Sequence, residues 1–200
     1  LRYYSKAEYL DPSNVNTRLN VGTLYQQKGD YKTAITAYDS ILILNPDNVQ
    51  ANLYKAQSLA ASGDKKAALD LYKKVSALEP DNETVQADMI SMVKDTMTIP
   101  QFVEYIKKTY PNNAGDILYD YALDLHKKDK LADAINLYNE VIKIDNNNSE
   151  AYVNLAIAQG QNKSFDAALA TINTAKSKFS NNSQIKETEL SLKAQATDEK

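Results

Sequence analysis

Apolar residues recur three or four positions apart through most of the chain, which is the spacing of one face of an α-helix. Within residues 15–48, one such face contains Val21, Leu24 and Tyr25. Gly29 then interrupts the pattern, and glycine suits the left-handed backbone that often follows a helix. A second apolar face begins directly after this glycine. The pattern therefore predicts two helices joined by a short turn.

The same pair of predicted helices returns along the chain. Alanine, tyrosine and proline recur at a shift of 34 residues, and part of the set recurs further on: Ala34, Tyr38 and Pro46 correspond to Ala68, Tyr72 and Pro80, then to Ala134 and Tyr138, and then to Ala168. A period between 20 and 50 residues indicates stacked units rather than one globular core. The sequence therefore predicts an array of helix pairs.

These typed positions resemble the tetratricopeptide repeat family. Residues 15–48 contain the pair Val21-Gly22 and then Tyr25, as well as the alanine, tyrosine and proline given above. The tryptophan that opens the family pattern is absent. The resemblance implies an all-α fold, a right-handed α-solenoid of stacked antiparallel helix pairs, whose concave face binds other protein chains.

We expect a single array over residues 1–200, divided into successive segments. The predicted segments are 1–14, the second helix of a truncated repeat; 15–48 and 49–82, two repeats; 83–114, an irregular repeat; 115–148 and 149–182, two further repeats; and 183–196, a C-terminal capping helix. Because the chain opens inside a repeat, we expect it to be part of a longer, bacterial protein. Tyr4 and Leu10 would then lie on an open apolar face, through which self-association is an alternative.

Composition excludes several classes of function. The net charge of −3 offers no general attraction for nucleic acid, and no apolar stretch approaches the length of a membrane span. The absence of cysteine excludes disulfides and thiolate metal sites. The only histidine, His126, has no partner nearby in sequence and is expected to be exposed. We therefore predict no catalytic, metal or cofactor site, and the compartment stays open.

The family resemblance places the first helix of each repeat on the concave face. Positions opposite the core on these helices form the predicted groove: Asn16, Leu19, Asn20, Thr23, Gln50, Leu53, Tyr54, Gln57, Asp88, Asp116, Tyr119, Asp120, Leu123, Glu150, Val153, Asn154 and Ile157. Asn20 and Asn154 are candidates for hydrogen bonds to a ligand backbone.

The charges in this groove argue against one family activity. Members that grip a C-terminal carboxylate use lysine, arginine and asparagine, whereas this chain has Leu19, Thr23, Tyr54, Thr84 and Asp88 at those places. We instead predict a protein or peptide partner that is apolar with some positive charge. The alternatives are a structural spacer or self-assembly module, and the recognition arm of an enzyme whose catalytic domain lies outside this chain.

Overall fold

A computed structural model describes residues 14–198 of the protein. Every regular element in this range is an α-helix. The helices are α1 (Val15–Gln27), α2 (Tyr31–Leu42), α3 (Val49–Ser62), α4 (Lys65–Leu78), α5 (Glu83–Thr96), α6 (Ile99–Thr109), α7 (Ala114–Lys127), α8 (Leu131–Ile144), α9 (Ser149–Gln161), α10 (Phe165–Lys178) and α11 (Ser183–Asp198). The predicted all-α solenoid of stacked helix pairs, with a helix at its C-terminal end, is confirmed.

The chain divides into two compact units, Leu1–Thr96 and Met97–Lys200, called unit 1 and unit 2 below. In unit 1, α1 packs on α2 and α3 packs on α4, and each pair also packs on the helix that follows it. In unit 2, α7 packs on α8 and α9 on α10, with α6 against the first of these pairs and α11 against the second. The division into successive repeats stays a prediction, as does the single array over 1–200.

The unit boundary lies between α5 and α6, which are the two helices expected to form the irregular repeat 83–114. Residues 1–13, with the predicted open face of Tyr4 and Leu10, lie outside the described residues. Asn14, the last residue of the predicted truncated repeat, caps α1.

Asparagine and aspartate side chains cap helices in the short polar segments between the apolar helix faces. The Asn48 side chain accepts a hydrogen bond from the Ala51 N–H at 2.9 Å and so begins α3. Asp30 accepts from the Thr33 N–H at 3.1 Å and begins α2. Because the first N–H groups of a helix lack partners within it, these bonds fix where each helix starts.

The turns inside the helix pairs share one backbone conformation. Gly29 and Gly63 have φ angles of 77° and 98°, as expected for the residue that ends a helix. The corresponding positions in unit 2 are Asp129 and Lys163, with φ angles of 58° and 60°. A left-handed backbone is costly for residues that carry a Cβ atom, so unit 2 keeps the same turn at some cost in stability.

Small residues and tyrosines form the core between helices. Small residues are buried on both helices of the pairs, where they let the helices approach closely: Gly22, Ala56, Ala122 and Ala156 on first helices and Ala34, Ala68, Ala134 and Ala168 on second helices. Tyr38, Tyr72 and Tyr138 are almost wholly buried in the spaces beside them. On α11, Glu189 is buried and Leu190 is 69% exposed.

Candidate functional site

The predicted groove residues of unit 1 lie on α1, α3 and α5. Leu19 and Leu53 are buried among core side chains and leave little surface for a ligand. The remaining positions are open to solvent to different degrees: Asn16, Asn20 and Gln50 are exposed, and Thr23, Tyr54, Gln57 and Asp88 are half-buried.

Hydrogen bonds tie several of these unit 1 residues to one another. Gln50 Nε2 donates to Tyr54 Oη at 2.9 Å along α3. The Tyr54 ring in turn packs against Tyr38, with centroids 5.8 Å apart. Asp88 Oδ2 accepts from Gln57 Nε2 at 3.0 Å. The structure thus brings α3 and α5 together through side chains that the sequence placed on one face.

In unit 2 the predicted residues lie on α7 and α9, where Tyr119 connects the two helices. Tyr119 Oη accepts from Asn154 Nδ2 at 2.7 Å and donates to Glu150 Oε2 at 3.4 Å. Burial, followed by the charge of Glu150, raises the pKa of Tyr119. The hydroxyl therefore stays protonated at neutral pH and keeps both bonds.

Apolar groups of unit 2 open onto two neighbouring cavities. Leu123 and Ile157 line a cavity of about 530 Å³ between α7 and α9. Ile157 also lines a second cavity, of about 320 Å³, between α9 and α11. Val153 is buried and supports this region from within. Two half-buried aliphatic side chains therefore stand beside space that a ligand side chain can enter.

The second cavity includes residues that the sequence analysis missed. Glu187, Thr188 and Ser191 of α11 line it opposite α9. The sequence predicted this segment only as a C-terminal capping helix. The order of the helices could have indicated this role for α11. It follows α10 directly, as the first helix of each repeat follows the second helix of the repeat before it.

The structure corrects the expectation that His126 is exposed. His126 is half-buried rather than exposed, and both ring nitrogens have partners. Nδ1 lies 3.2 Å from Tyr138 Oη, and Nε2 lies 2.7 Å from Gln161 Oε1. Burial raises the pKa of Tyr138, which keeps its hydroxyl protonated. The histidine therefore links α7 to both α8 and α9, and sequence spacing could not show it because Gln161 is 35 residues away.

Acidic residues lie on α7 and α9 at positions predicted to share a helix face with Leu123 and Ile157. Asp116, Asp120 and Glu150 form no ion pair within residues 14–198, and Asp116 and Asp120 are exposed. We call these three carboxylates, together with Tyr119, Leu123, Asn154 and Ile157, the α7/α9 surface. In the described part of the chain, no group of three or more histidine, aspartate or glutamate side chains could hold a metal ion. None of the helices between residues 14 and 198 has the length and apolarity needed to cross a bilayer.

Two sequence models of the tetratricopeptide repeat match residues 19–83 and 125–196, which together exceed half of the chain. The chain belongs to the tetratricopeptide repeat family. Proteins built from tetratricopeptide repeats are in general non-catalytic modules that bind other proteins, and the chain is an interaction scaffold in this general sense.

Solved structures share the tetratricopeptide repeat fold with this chain. A crystal structure of MamA protein is 21% identical, with a TM-score of 0.51, over 82% of this chain and 91% of that one. YrrB, described as a tetratricopeptide repeat protein with an unusual peptide-binding site, is 14% identical, with a TM-score of 0.52, over 93% and 97%. The Cut9-Hcn1 hetero-tetramer of APC/C gives 17% identity and a TM-score of 0.52, over 94% of this chain and 38% of that one. A search of curated proteins found no match.

Proposed function

We propose that this tetratricopeptide repeat chain binds a peptide or helix of a partner protein in the concave groove of its first helices, without catalysing a reaction. The α7/α9 surface carries the proposal. It combines half-buried Leu123 and Ile157, adjoining cavities, and three carboxylates that form no ion pair within residues 14–198.

The chemistry of the α7/α9 surface selects the partner. Apolar side chains of the partner enter beside Leu123 and Ile157, since burying them removes apolar surface from water. Positive charges on the partner face Asp116 and Asp120, which speeds association and disfavours acidic segments. The bond from Asn154 Nδ2 to Tyr119 orients that amide and leaves its carbonyl oxygen to accept a backbone N–H from the ligand.

Three residues predicted on the groove lie beneath its surface and support it without contacting a ligand: Leu19, Leu53 and Val153. All three belong to the core clusters of their units. The residues proposed to contact the partner are therefore the predicted groove residues that are exposed or half-buried.

Peptide selection followed by mutation tests this function. A displayed library of random peptides is selected on the chain, and the affinity of the enriched peptides is measured by fluorescence anisotropy. We expect apolar and basic residues in these peptides, and a loss of about tenfold or more in Leu123→Ala or Ile157→Ala, which follows from losing about 1.5–3 kcal/mol of apolar burial.

Leu190→Ala is the matched control, since Leu190 is an exposed leucine in the same unit that does not line either cavity. Circular dichroism checks that each variant stays folded. Equal affinity of all enriched peptides for the wild-type chain and both groove variants contradicts the proposal.

A further inference from the structure

Unit 1 contains a cavity whose chemistry differs from that of the other repeat junctions. It has a volume of about 410 Å³ and lies between α3, α4 and α5. Ala60, Ala61 and Met92 supply apolar walls, and Asp88 supplies a carboxylate. We call this cavity the Asp88 pocket.

An aspartate stands in this pocket at the position where the preceding repeat has an aromatic residue. Asp88 lies 34 residues after Tyr54 and holds the corresponding position on its helix. At the earlier junction, the Tyr54 ring packs on Tyr38 with centroids 5.8 Å apart. At the later junction, the Tyr72 hydroxyl meets a short carboxylate instead of a ring, and this carboxylate lines the pocket.

The carboxylate is held in place by two neutral donors. Tyr72 Oη and Gln57 Nε2 each lie 3.0 Å from Asp88 Oδ2. Burial first, and then the charge of Asp88, raise the pKa of Tyr72, so its hydroxyl stays a donor. Both bonds go to one oxygen. Within residues 14–198, Oδ1 accepts no hydrogen bond and the half-buried charge has no cation bonded to it.

The lysine that lines this pocket is already paired. Lys65 Nζ lies 3.1 Å from Asp95 Oδ2 at the border of the same cavity. Asp95 is two helical turns from Asp88 on α5, and Ser91 lies between them on the same face. The pocket therefore presents a positioned carboxylate, a hydroxyl and an apolar wall.

We infer that the Asp88 pocket accepts an arginine side chain of the partner peptide. The aliphatic part of the arginine packs on Ala60, Ala61 and Met92, and its guanidinium donates to Asp88 Oδ1 and to the Ser91 hydroxyl. A guanidinium suits this arrangement because it is planar, always charged and presents several donors at fixed angles. The inference rests on the proposed function in so far as the arginine belongs to the peptide that occupies the groove.

Titration of the whole isotope-labelled chain with Nα-acetyl-arginine amide tests the pocket. Nuclear magnetic resonance should show saturable shifts at the Gln57 side-chain amide and at Ser91. Nα-acetyl-citrulline amide, which has nearly the same shape without the charge, should produce no saturable shift.

Asp88→Asn is the decisive variant, because its carbonyl oxygen can still accept from Tyr72 and Gln57 while the charge is lost. We expect arginine amide to bind at least tenfold more weakly to it. Asp70→Asn makes the same change in charge at an exposed position of α4 and should bind as the wild-type chain does.

Three results overturn the inference: no saturable response to arginine amide, an equal response to citrulline amide, or undiminished binding to Asp88→Asn. If the inference fails while selected peptides still require Leu123, the proposed function stands. If arginine amide binds but no peptide depends on Leu123 or Ile157, the proposed function falls and the pocket remains.

Discussion

The ring of Tyr38 lies so close to Gly22 that a Cβ atom on the glycine would be 2.3 Å from ring carbon Cε1. The tyrosine ring is fully buried, so it has no open space into which to withdraw. Three other repeats have alanine at the corresponding first-helix position, as in Ala56 beside Tyr72. The contact between α1 and α2 at Gly22 is therefore too close for the alanine that other repeats have at this position.

We expect Gly22→Ala to destabilise the chain by about 1–3 kcal/mol, because overpacking a filled core forces side chains and backbone to shift. The better helix propensity of alanine offsets only part of this cost. Chemical denaturation of the whole chain measures the change in the free energy of unfolding.

Gly115→Ala is the control for this substitution. Its Cβ would lie 3.6 Å from Ile144 Cγ2, an ordinary contact. We expect a neutral effect or a gain of about 0.5 kcal/mol. A stabilising Gly22→Ala would show that the core around Tyr38 yields easily.

Unit 2 should become more stable when its left-handed turn residues are replaced by glycine. We expect Lys163→Gly to raise the free energy of unfolding by about 0.5–1 kcal/mol, since relief of the left-handed strain exceeds the added entropy of the unfolded chain. Asp129→Gly should gain less, because aspartate tolerates this backbone better than lysine does.

The reverse substitution, Gly63→Ala, tests the same argument. Nothing lies within 4 Å of its Cβ position, but its φ angle is 98°. It should therefore lower stability through the backbone alone. Equal melting temperatures for Gly63→Ala and the wild-type chain would contradict the strain argument.

Because of Glu189, the free energy of unfolding should depend on pH in the acidic range. Its carboxylate accepts from Lys176 Nζ and from Lys193 Nζ, each at 2.6 Å. These bonds, that to Lys176 first, lower the pKa of Glu189 to about 2 from an ordinary 4.5. Because the folded chain favours the charged form, the contribution is fully present above pH 4.5 and disappears as pH falls towards 2.

The measurement compares the melting temperature of the wild-type chain with that of Glu189→Gln across this pH range. The wild-type chain should melt higher near neutral pH, and the two curves should converge in acid. Glu187→Gln, an exposed change on the same helix, should give no such convergence. A constant difference between wild type and Glu189→Gln at all pH values would mean that the carboxylate charge contributes nothing.

His126 and Tyr138 should be energetically coupled. We expect His126→Leu to cost about 1–3 kcal/mol, because it leaves a buried hydroxyl without its partner. In a double-mutant cycle with Tyr138→Phe, the two losses should overlap by about 1 kcal/mol. His126→Leu combined with Tyr72→Phe, whose residues lie in different units, should be additive. Additivity in the His126 and Tyr138 pair would contradict the bond.

Local features of the fold were predictable from the sequence because each depends on residues close in the chain. Asn48 and Asp30 cap helices through bonds to residues three positions away. Gly29 takes the left-handed turn for the same local reason. The fold class followed from the repeat period itself.

Features that join distant helices could not be read in this way. Helix spacing gives the direction of a side chain on its own helix, but not how far the neighbouring helix covers it. Leu53 and Val153 share a helix face with exposed neighbours and are nevertheless buried. The partner of Glu189 on α10 and the partner of His126 on α9 likewise appear only once the helices are assembled.

Tyr54 and Asp88 hold the same position in successive repeats, and this difference bears on how such a chain evolves. Repeats contact mainly their immediate neighbours, so stability is roughly a sum of local terms. A side chain at one junction can therefore be replaced, and a new ligand preference can arise there, while the other junctions keep their packing. Diversification of recognition can proceed one step along the stack at a time.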